Sequence, residues 1–272
     1  MKTAVLSLML MAAPVVALAD KLQDLREQGY VRIAIANEPP FTSVAADGTV
    51  SGAAPDVARE VFKRLGVPEI VASISEYGAM IPGLQARRHD VITAGLFMKP
   101  ERCAAVAYSE PVLCDAEAFL LPKGNPKGFK SFADIAADAT ATIGAPGGGT
   151  EEKLALEAGV PRDRVIVVPD GQSGLKMLQD GRLDVYSLPV LSISDLMTKA
   201  ADPNLEMFAP VVGAPVYCDG AAFNKDETAL RDAFDVELAK MKASGEFAAI
   251  IEPYGFSAAA AISTSREALC AE

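Results

Sequence analysis

Two segments of this chain are alike: Cys-Asp-Ala-Glu-Ala-Phe at residues 114–119 and Cys-Asp-Gly-Ala-Ala-Phe at residues 218–223. Each is typical of a strand and follows a loop that contains proline. Paired strands of this kind suit a chain that crosses into a second lobe and later returns, which leaves a hinge of two crossings. The pair therefore predicts residues 20–115 and 219–272 in lobe one and residues 116–218 in lobe two.

Strand and helix patterns alternate on both sides of the first crossing, which is typical of α/β domains. We expect each lobe to be a mostly parallel sheet flanked by helices. The expected strands are residues 30–35, 71–74, 91–93, 142–145, 165–168 and 184–187, and the expected helices are residues 53–65, 80–86, 131–135, 150–159, 174–178 and 230–242.

Residues 1–19 have the pattern of an export signal. Lys2 supplies the positive start, an apolar run follows, and Ala17-Leu18-Ala19 offers a small-x-small cleavage site. A membrane anchor is the alternative, but a span needs about 20 apolar residues and Pro14 interrupts this shorter run. We therefore expect a periplasmic protein cleaved near Ala19, without the nearby cysteine that lipid attachment requires.

The composition argues against several function classes. The net charge is −11, with no Trp and one His, whereas nucleic-acid binders cluster Lys and Arg. The single His89 lies in Arg-Arg-His-Asp, a pattern we interpret as a solvated surface turn. A Ser-His-Asp or zinc site would need more than this, so we expect no cofactor, no metal and no nucleic-acid partner.

Five short motifs occur in a specific order and spacing, although each is weak by itself. They are Gly-Tyr-Val-Arg-Ile-Ala-Ile at 29–35, Pro-Phe at 40–41, residues 52–56, Ile-Pro-Gly-Leu at 81–84 and Lys-Pro-Glu-Arg at 99–102. By these motifs the chain resembles the extracellular solute-binding proteins of ABC importers, specifically the polar amino acid type. The resemblance implies a two-lobed periplasmic binding protein of type II, monomeric, that delivers a small solute to a membrane permease.

The same resemblance assigns the residues that hold a ligand carboxylate. It implies that Arg102 grips the carboxylate as a fork, with help from backbone amides near Gly95 and Phe97. Guanidinium geometry matches a carboxylate, and such bonds are charge-assisted. Thr150 is implied to touch the carboxylate from lobe two, and it is also expected to cap the helix that follows.

The glycine-rich run at residues 147–149 has a phosphate-binding loop as its alternative reading. No Gly-Lys-Ser/Thr follows the run, which a phosphate loop requires. Glu151 and Glu152 come directly after it and would repel a phosphate. We therefore do not expect a nucleotide ligand.

The chain departs from its amino acid relatives at the positive end of the ligand. Those receptors usually carry an Asp shortly after the strand expected at residues 184–187, where it pairs with an ammonium. The matching position here is Pro189. Glu38 is a replacement for that charge, and the aromatic residues Phe41, Tyr77 and Phe97 would form a box for a delocalised cation. Each aromatic residue would by itself also be explained by core packing.

A cyclic amidinium joined to a carboxylate would satisfy both ends of such a site. Together with residues 37–41, 76–78, 95–98 and 102–103, this makes the chain similar to the ectoine- and hydroxyectoine-binding receptors of the family. The residues alone also allow other compact zwitterions, such as betaine or proline, or an amino acid such as arginine. Ectoine or hydroxyectoine is nevertheless the expected ligand.

Two rival functions come from other classes. Some relatives on this fold are dehydratases or cell-wall lyases, and Glu38 or Glu101 would then be a general acid; no His stands in the cleft strands, so we expect a receptor and not an enzyme. A sensor or accessory subunit that binds another periplasmic protein is the other alternative.

Four cysteines remain after cleavage, at positions 103, 114, 218 and 270. Their spacings match no metal-binding pattern, and an even count in an oxidising compartment favours disulfides. Three pairings are possible. We favour Cys114–Cys218 across the hinge strands, which leaves Cys103–Cys270 in lobe one.

Overall fold

A computed structural model describes residues 21–271, so the expected export signal lies outside the described residues. The helices are α1 (Lys21–Gln28), α2 (Ala53–Arg64), α3 (Tyr77–Gln85), α4 (Pro100–Ala105), α5 (Phe132–Ala137), α6 (Thr150–Glu157), α7 (Gly171–Gln179), α8 (Val190–Ala200), α9 (Thr228–Ser244), α10 (Glu246–Ile251), α11 (Ala258–Ile262) and α12 (Arg266–Cys270). The strands are β1 (Tyr30–Ile35), β2 (Ser43–Val44), β3 (Val50–Ser51), β4 (Glu69–Ile74), β5 (Val91–Ile92), β6 (Ala107–Tyr108), β7 (Cys114–Asp115), β8 (Glu117–Pro122), β9 (Ile143–Pro146), β10 (Val165–Val168), β11 (Val185–Pro189), β12 (Leu205–Phe208), β13 (Tyr217–Cys218) and β14 (Ala222–Phe223).

Two five-stranded sheets share one arrangement. Their strand orders are β4-β1-β5-β14-β6 and β10-β9-β11-β8-β12. In each sheet the first three strands are mutually parallel, and the fourth runs antiparallel to both of its neighbours. Parallel neighbours require crossover helices, which cover both faces of a sheet. The α/β architecture with mostly parallel sheets is therefore confirmed.

The side chains of β1 point alternately to the two faces of its sheet, and both faces are buried. Val31, Ile33 and Ile35 face a core that also contains Val57 of α2, while Ala34 faces a second core. Successive side chains of a strand point to opposite faces, so an almost continuously apolar strand suits a sheet covered by helices on both sides. The second sheet likewise separates two apolar clusters.

The chain passes from one sheet to the other at β7 and returns at β13. These two strands pair antiparallel, with Cys114 opposite Cys218. We expected a single strand at each crossing, but the first is broken at Ala116 and the second between Cys218 and Ala222. A strand cannot pair in the ribbon and in a differently oriented sheet without such a break. Lobe boundaries at 115/116 and 218/219 remain a proposal.

Both sulfur pairs lie at bonding distance. The sulfur atoms of Cys114 and Cys218 are 1.96 Å apart, and those of Cys103 and Cys270 are 1.94 Å apart. The first pair ties together the two crossing strands. The second ties α4 to α12, so the C-terminal helix is fastened to the first sheet's domain.

His89 was expected on a solvated turn, and this expectation is wrong. Its residue is only 5% exposed, and its Nε2 lies 2.9 Å from the carbonyl oxygen of Met80. The ring fills the space beside Gly83, where a Cβ would come within 2.5 Å of it. Burial lowers the pKa of His89, which favours the neutral ring.

The sequence also led us to treat the helix at 230–242 as the last one, but α10, α11 and α12 follow it. Each is short, and helices of five or six residues have too few turns to show a clear periodicity. α1, α8 and β12 were likewise not anticipated. Within residues 21–271, no helix has the length and apolar character needed to cross a bilayer.

Candidate functional site

A cavity of about 250 Å³ lies between the two sheets. The structure places all eight expected site residues around it, together with Gly149 and Glu151. In chain order, the lining is Glu38, Phe41, Tyr77, Gly95, Phe97, Arg102, Gly149, Thr150, Glu151 and Pro189. That these residues bind a ligand stays a prediction.

Two buried phenylalanines form one wall of the cavity. Phe41 and Phe97 meet edge to face with ring centroids 6.0 Å apart. One face of Phe97 is covered by Tyr217, which stacks on it at 5.6 Å. Gly95 has φ +76°, and a Cβ there would come within 2.8 Å of the Phe41 ring. Gly95 therefore sets the position of Phe41 by leaving space for its ring.

Glu38 links the two sheets through its carboxyl group. Ser192 of α8 donates to Glu38 Oε1 at 2.7 Å, and the Tyr77 hydroxyl lies 3.2 Å from Oε2. The Tyr77 hydroxyl is also 3.0 Å from the Ala94 carbonyl oxygen, and its single proton can serve only one of them. Burial, followed by the Glu151 carboxyl, raises the pKa of Glu38 to about 8. A proton on Glu38 can then complete the bond to Tyr77.

The Arg102 guanidinium is held by two carbonyl groups. Nη1 donates to Phe97 O at 2.8 Å, and Nη2 donates to Gly148 O across the cleft at 2.9 Å. A guanidinium has five N–H donors, so these bonds leave donors for an anion in the cavity. Phe97 lies in the same domain as Arg102, whereas Gly148 lies in the opposite domain. Both bonds can therefore hold the guanidinium only when the cleft is closed.

The N-terminus of α6 forms part of the opposite wall. Thr150 was expected to cap this helix, but Gly149 is the capping residue and Thr150 is the first residue of the helix. Thr150 is 3% exposed, and its hydroxyl stands beside first-turn amides that have no partner within the helix. Such amides favour an anion. The Thr150 hydroxyl and the amides thus provide donors from the second domain.

Glu151 is a lining residue that sequence reasoning missed. It is 4% exposed, and burial raises the pKa of its carboxyl group. A glutamate in the first turn of a helix is common because it opposes the helix dipole, so its type and position carried no signal. Among residues 21–271, no group of three or more His, Cys, Asp or Glu side chains has a geometry that would hold a metal ion.

The two domains also touch backbone to backbone beside the cavity. The Gly78 amide donates to Gly147 O at 3.1 Å. Gly148 has φ +72°, and a Cβ there would come within 2.4 Å of Gly78 Cα. Glu101 of α4 and Lys153 of α6 form an ion pair across the same cleft. This closure therefore needs a glycine at position 148.

A second cavity of about 480 Å³ adjoins the first, and Glu38 and Tyr77 line both. Its remaining walls come from residues on both sides of the cleft, among them Asn37, Glu76, Asp170 and Tyr186. A ligand longer than the first cavity, such as an extended arginine, would reach past Glu38 into the second.

A family profile for the bacterial extracellular solute-binding proteins, family 3, matches residues 31–257. The chain belongs to this family. The resemblance drawn from the short motifs is therefore confirmed, and the fold is that of a type II periplasmic binding protein. The family is described as bacterial extracellular solute-binding proteins, so this chain is a solute-binding protein by membership.

Two related proteins support this membership. A probable amino-acid ABC transporter periplasmic-binding protein, y4tE of Sinorhizobium fredii, is 35% identical over 259 residues, which cover 93% of this chain and 85% of that protein. The ABC transporter arginine-binding protein 1 of Escherichia coli is 24% identical over 222 residues, or 80% of this chain and 87% of that protein.

A solved structure of EhuB in complex with hydroxyectoine shares 81% sequence identity and a TM-score of 0.92, covering 93% of this chain and 98% of that one. An ancestral amino acid-binding protein described as a precursor of cyclohexadienyl dehydratase has a TM-score of 0.75 at 23% identity, covering 86% and 98%. The latter likeness shows the fold alone.

Gly148→Ala is expected to prevent the closure seen here, because its Cβ would overlap Gly78. Distances between spin labels, one on each domain, should then show loss of the closed population. Gly181→Ala is the matched control: Gly181 has φ +69° but nothing within 4 Å of a Cβ, so it adds the same backbone strain without an interdomain clash. Equal closed populations in both variants would contradict the role of Gly148.

Proposed function

We propose that this chain is a periplasmic receptor that binds ectoine or hydroxyectoine and delivers it to the permease of an ABC importer by lobe closure. The observation that carries the proposal is one cavity in which Arg102 and Thr150 stand together with Glu38 and three aromatic side chains. The first two suit a carboxylate. The others suit a cation whose charge is delocalised.

The carboxylate end rests on donors from both domains. Arg102 offers the donors not used by Phe97 and Gly148, and α6 offers the Thr150 hydroxyl and first-turn amides. Hydrogen bonds from a guanidinium to a carboxylate are about twice as strong as neutral ones. Because Arg102 Nη2 bonds Gly148 O across the cleft, an anion bound between Arg102 and α6 would favour the closed form.

The cationic end rests on Glu38 and the aromatic walls. Glu38 keeps a raised pKa only while no cation lies beside it, so a ligand cation would stabilise its ionised form. The free face of Phe97 and the ring of Tyr77 border the same space. A ring-shaped amidinium offers N–H donors to Glu38 and spread charge to the aromatic faces, which fits this combination.

The similarity to the EhuB structure with hydroxyectoine supports this ligand over the alternatives. An amino acid ligand is supported by the relative y4tE, which is described as a probable amino-acid ABC transporter periplasmic-binding protein. However, Pro189 lines the cavity at the position where an ammonium partner would be needed, and proline offers no charge or donor. The dehydratase alternative has only the likeness of fold at 23% identity behind it.

Titration calorimetry with ectoine, hydroxyectoine, glycine betaine, proline and arginine tests the ligand. We expect saturable one-to-one binding of ectoine or hydroxyectoine, at least tenfold tighter than betaine, proline or arginine. Arginine is the informative control, because it would have to reach into the second cavity. Absence of heat with both ectoines would refute the proposed ligand, and tight arginine binding would favour an amino acid receptor.

Phe97→Leu is expected to weaken ectoine binding about tenfold, or ~1.4 kcal/mol. Leucine keeps most of the apolar bulk but removes the aromatic face that would meet the cation. Phe132→Leu makes the same substitution in the apolar core of the second domain, away from the cavity, and should leave affinity within about twofold. Equal affinities in the two variants would remove Phe97 from the site. Calorimetry provides both values.

Affinity is expected to weaken as the pH falls from 8 to 6. Glu38 has a pKa of about 8 in the ligand-free protein, and a bound cation would lower it, so binding at pH 7 should release a proton. The loss is at most about tenfold per pH unit, since one group titrates. Repeating the calorimetry in buffers with different ionisation enthalpies measures the proton. Glu38→Gln should bind more weakly and show no such release; a flat profile in the unaltered protein would contradict the assignment.

A further inference from the structure

Glu117 is a buried acid that does not line the proposed ligand site and that has no role in the function proposed above. It is the first residue of β8 and has no solvent exposure. Neither of its carboxyl oxygens accepts a hydrogen bond from any residue between 21 and 271. A buried carboxylate without donors is strongly disfavoured, so the group must keep its proton or share one with a neighbour.

The register of the second sheet directs Glu117 to the ligand cavity. Glu117 lies directly opposite Pro189 in the antiparallel β8–β11 ladder. Side chains of directly opposed residues project from the same face of a sheet. Pro189 lines the cavity, so the Glu117 side chain stands on the cavity side and beneath its wall.

The neighbour of Glu117 is the lining residue Glu151. The two carboxyl groups are within hydrogen-bonding reach of each other. Two ionised carboxylates at that separation repel, whereas a pair that holds one proton forms a hydrogen bond. A neighbouring carboxylate donates no hydrogen bond, so this arrangement is consistent with the two Glu117 oxygens that lack a donor.

The charges around the pair decide which member holds the proton. Arg102 and Lys99 both favour the ionised form of Glu151. The negative charges of Glu151 and Glu38 disfavour the ionised form of Glu117, and the cation of Lys99 favours it. Burial, followed by the Glu151 charge, raises the pKa of Glu117 well above its usual range. Glu117 is therefore the member better placed to hold the proton and to donate a hydrogen bond to Glu151.

We infer that Glu117 is a positioning residue of the ligand site: it donates a hydrogen bond to Glu151 and holds that carboxylate in the cavity wall, away from Arg102. This inference rests on the proposed function, which reserves Arg102 for the ligand carboxylate. Without Glu117, the Glu151 carboxylate would turn to the nearest cations, and pairing with Arg102 would occupy the donors that the ligand needs.

Two substitutions at position 117 separate positioning from space filling. In Glu117→Gln the amide N–H still donates to Glu151, so hydroxyectoine affinity at pH 7 should stay within about threefold. Glu117→Leu fills the space but cannot donate, so affinity should fall at least tenfold in calorimetry. Thermal unfolding of both variants confirms that they fold. A role in packing alone predicts no such difference, and equal affinities would overturn the inference.

The pH profile gives a readout that a packing role would not change. The hydrogen bond is present while Glu117 is protonated, and it is lost as the pH rises through the raised pKa of that group. Affinity of the unaltered protein should therefore fall at alkaline pH, whereas that of Glu117→Gln should fall less. Lys99, with a pKa lowered to about 8 by burial and by Arg102, and Glu38 titrate in both proteins, so the difference isolates position 117. Identical profiles would overturn the inference.

A ligand-free measurement keeps this inference separate from the proposed ligand. If no ectoine binds, the proposed function fails, but the shared proton remains testable. Infrared spectra at neutral pH, taken as unaltered protein minus Glu117→Gln, should contain the C=O band of one protonated carboxyl group. The absence of that band would overturn the inference whatever the ligand is.

Discussion

The pairing of Cys114-Asp115 with Tyr217-Cys218 is the constraint on which the arrangement of the two domains depends. At this ribbon the chain leaves one sheet and returns to it, and the Cα atoms of the two bonded cysteines are 4.0 Å apart. Phe97 forms a bridge with Asp219, and the Met98 amide donates to Cys218 O at 2.8 Å. One wall of the cavity is thus attached directly to the crossing. A rotation about the ribbon would bring the α6 wall toward Phe97 and Arg102.

The cavity contains more ionisable groups than a small apolar pocket would tolerate. Glu38, Glu151 and the neighbouring Glu117 are acids with raised pKa values, while Arg102 and Lys99 are the nearby cations. Buried charges are stable only when they are paired and hydrogen-bonded. The zwitterion proposed as the ligand would supply a partner of each sign at once. On that proposal, the arginine would pair with its negative end, and the glutamate and the aromatic faces with its positive end.

Much of the candidate site was accessible from the sequence because the family resemblance implied Arg102 and Thr150 and because several other site residues follow strands. Glu38 and Phe41 follow β1, Gly95 and Phe97 follow β5, and Arg102 lies in the next helix. The carboxyl ends of parallel strands meet at one edge of a sheet, so residues that follow neighbouring strands lie near one another. Glu151 and Glu117 gave no such signal. Their roles depend on how α6 packs on the sheet and on the register between β8 and β11, which joins residues far apart in the chain. His89 was misjudged for the same reason: its polar neighbours suggested a surface turn, but packing against α3 buries the ring.

The sequence by itself determined the α/β class, the two crossings of the chain and the residue types that face the cavity. These follow from apolar periodicity and from local motifs, which depend on neighbours a few residues away. Only the tertiary structure decided which acids lie beside one another, which carbonyl groups hold Arg102, and that Gly148 must lack a side chain because Gly78 approaches it from the other domain. Each of these features depends on a distance of a few ångströms between atoms from separate elements. Side-chain order along the chain does not specify such distances, since they are set by the packing of whole helices and sheets against one another.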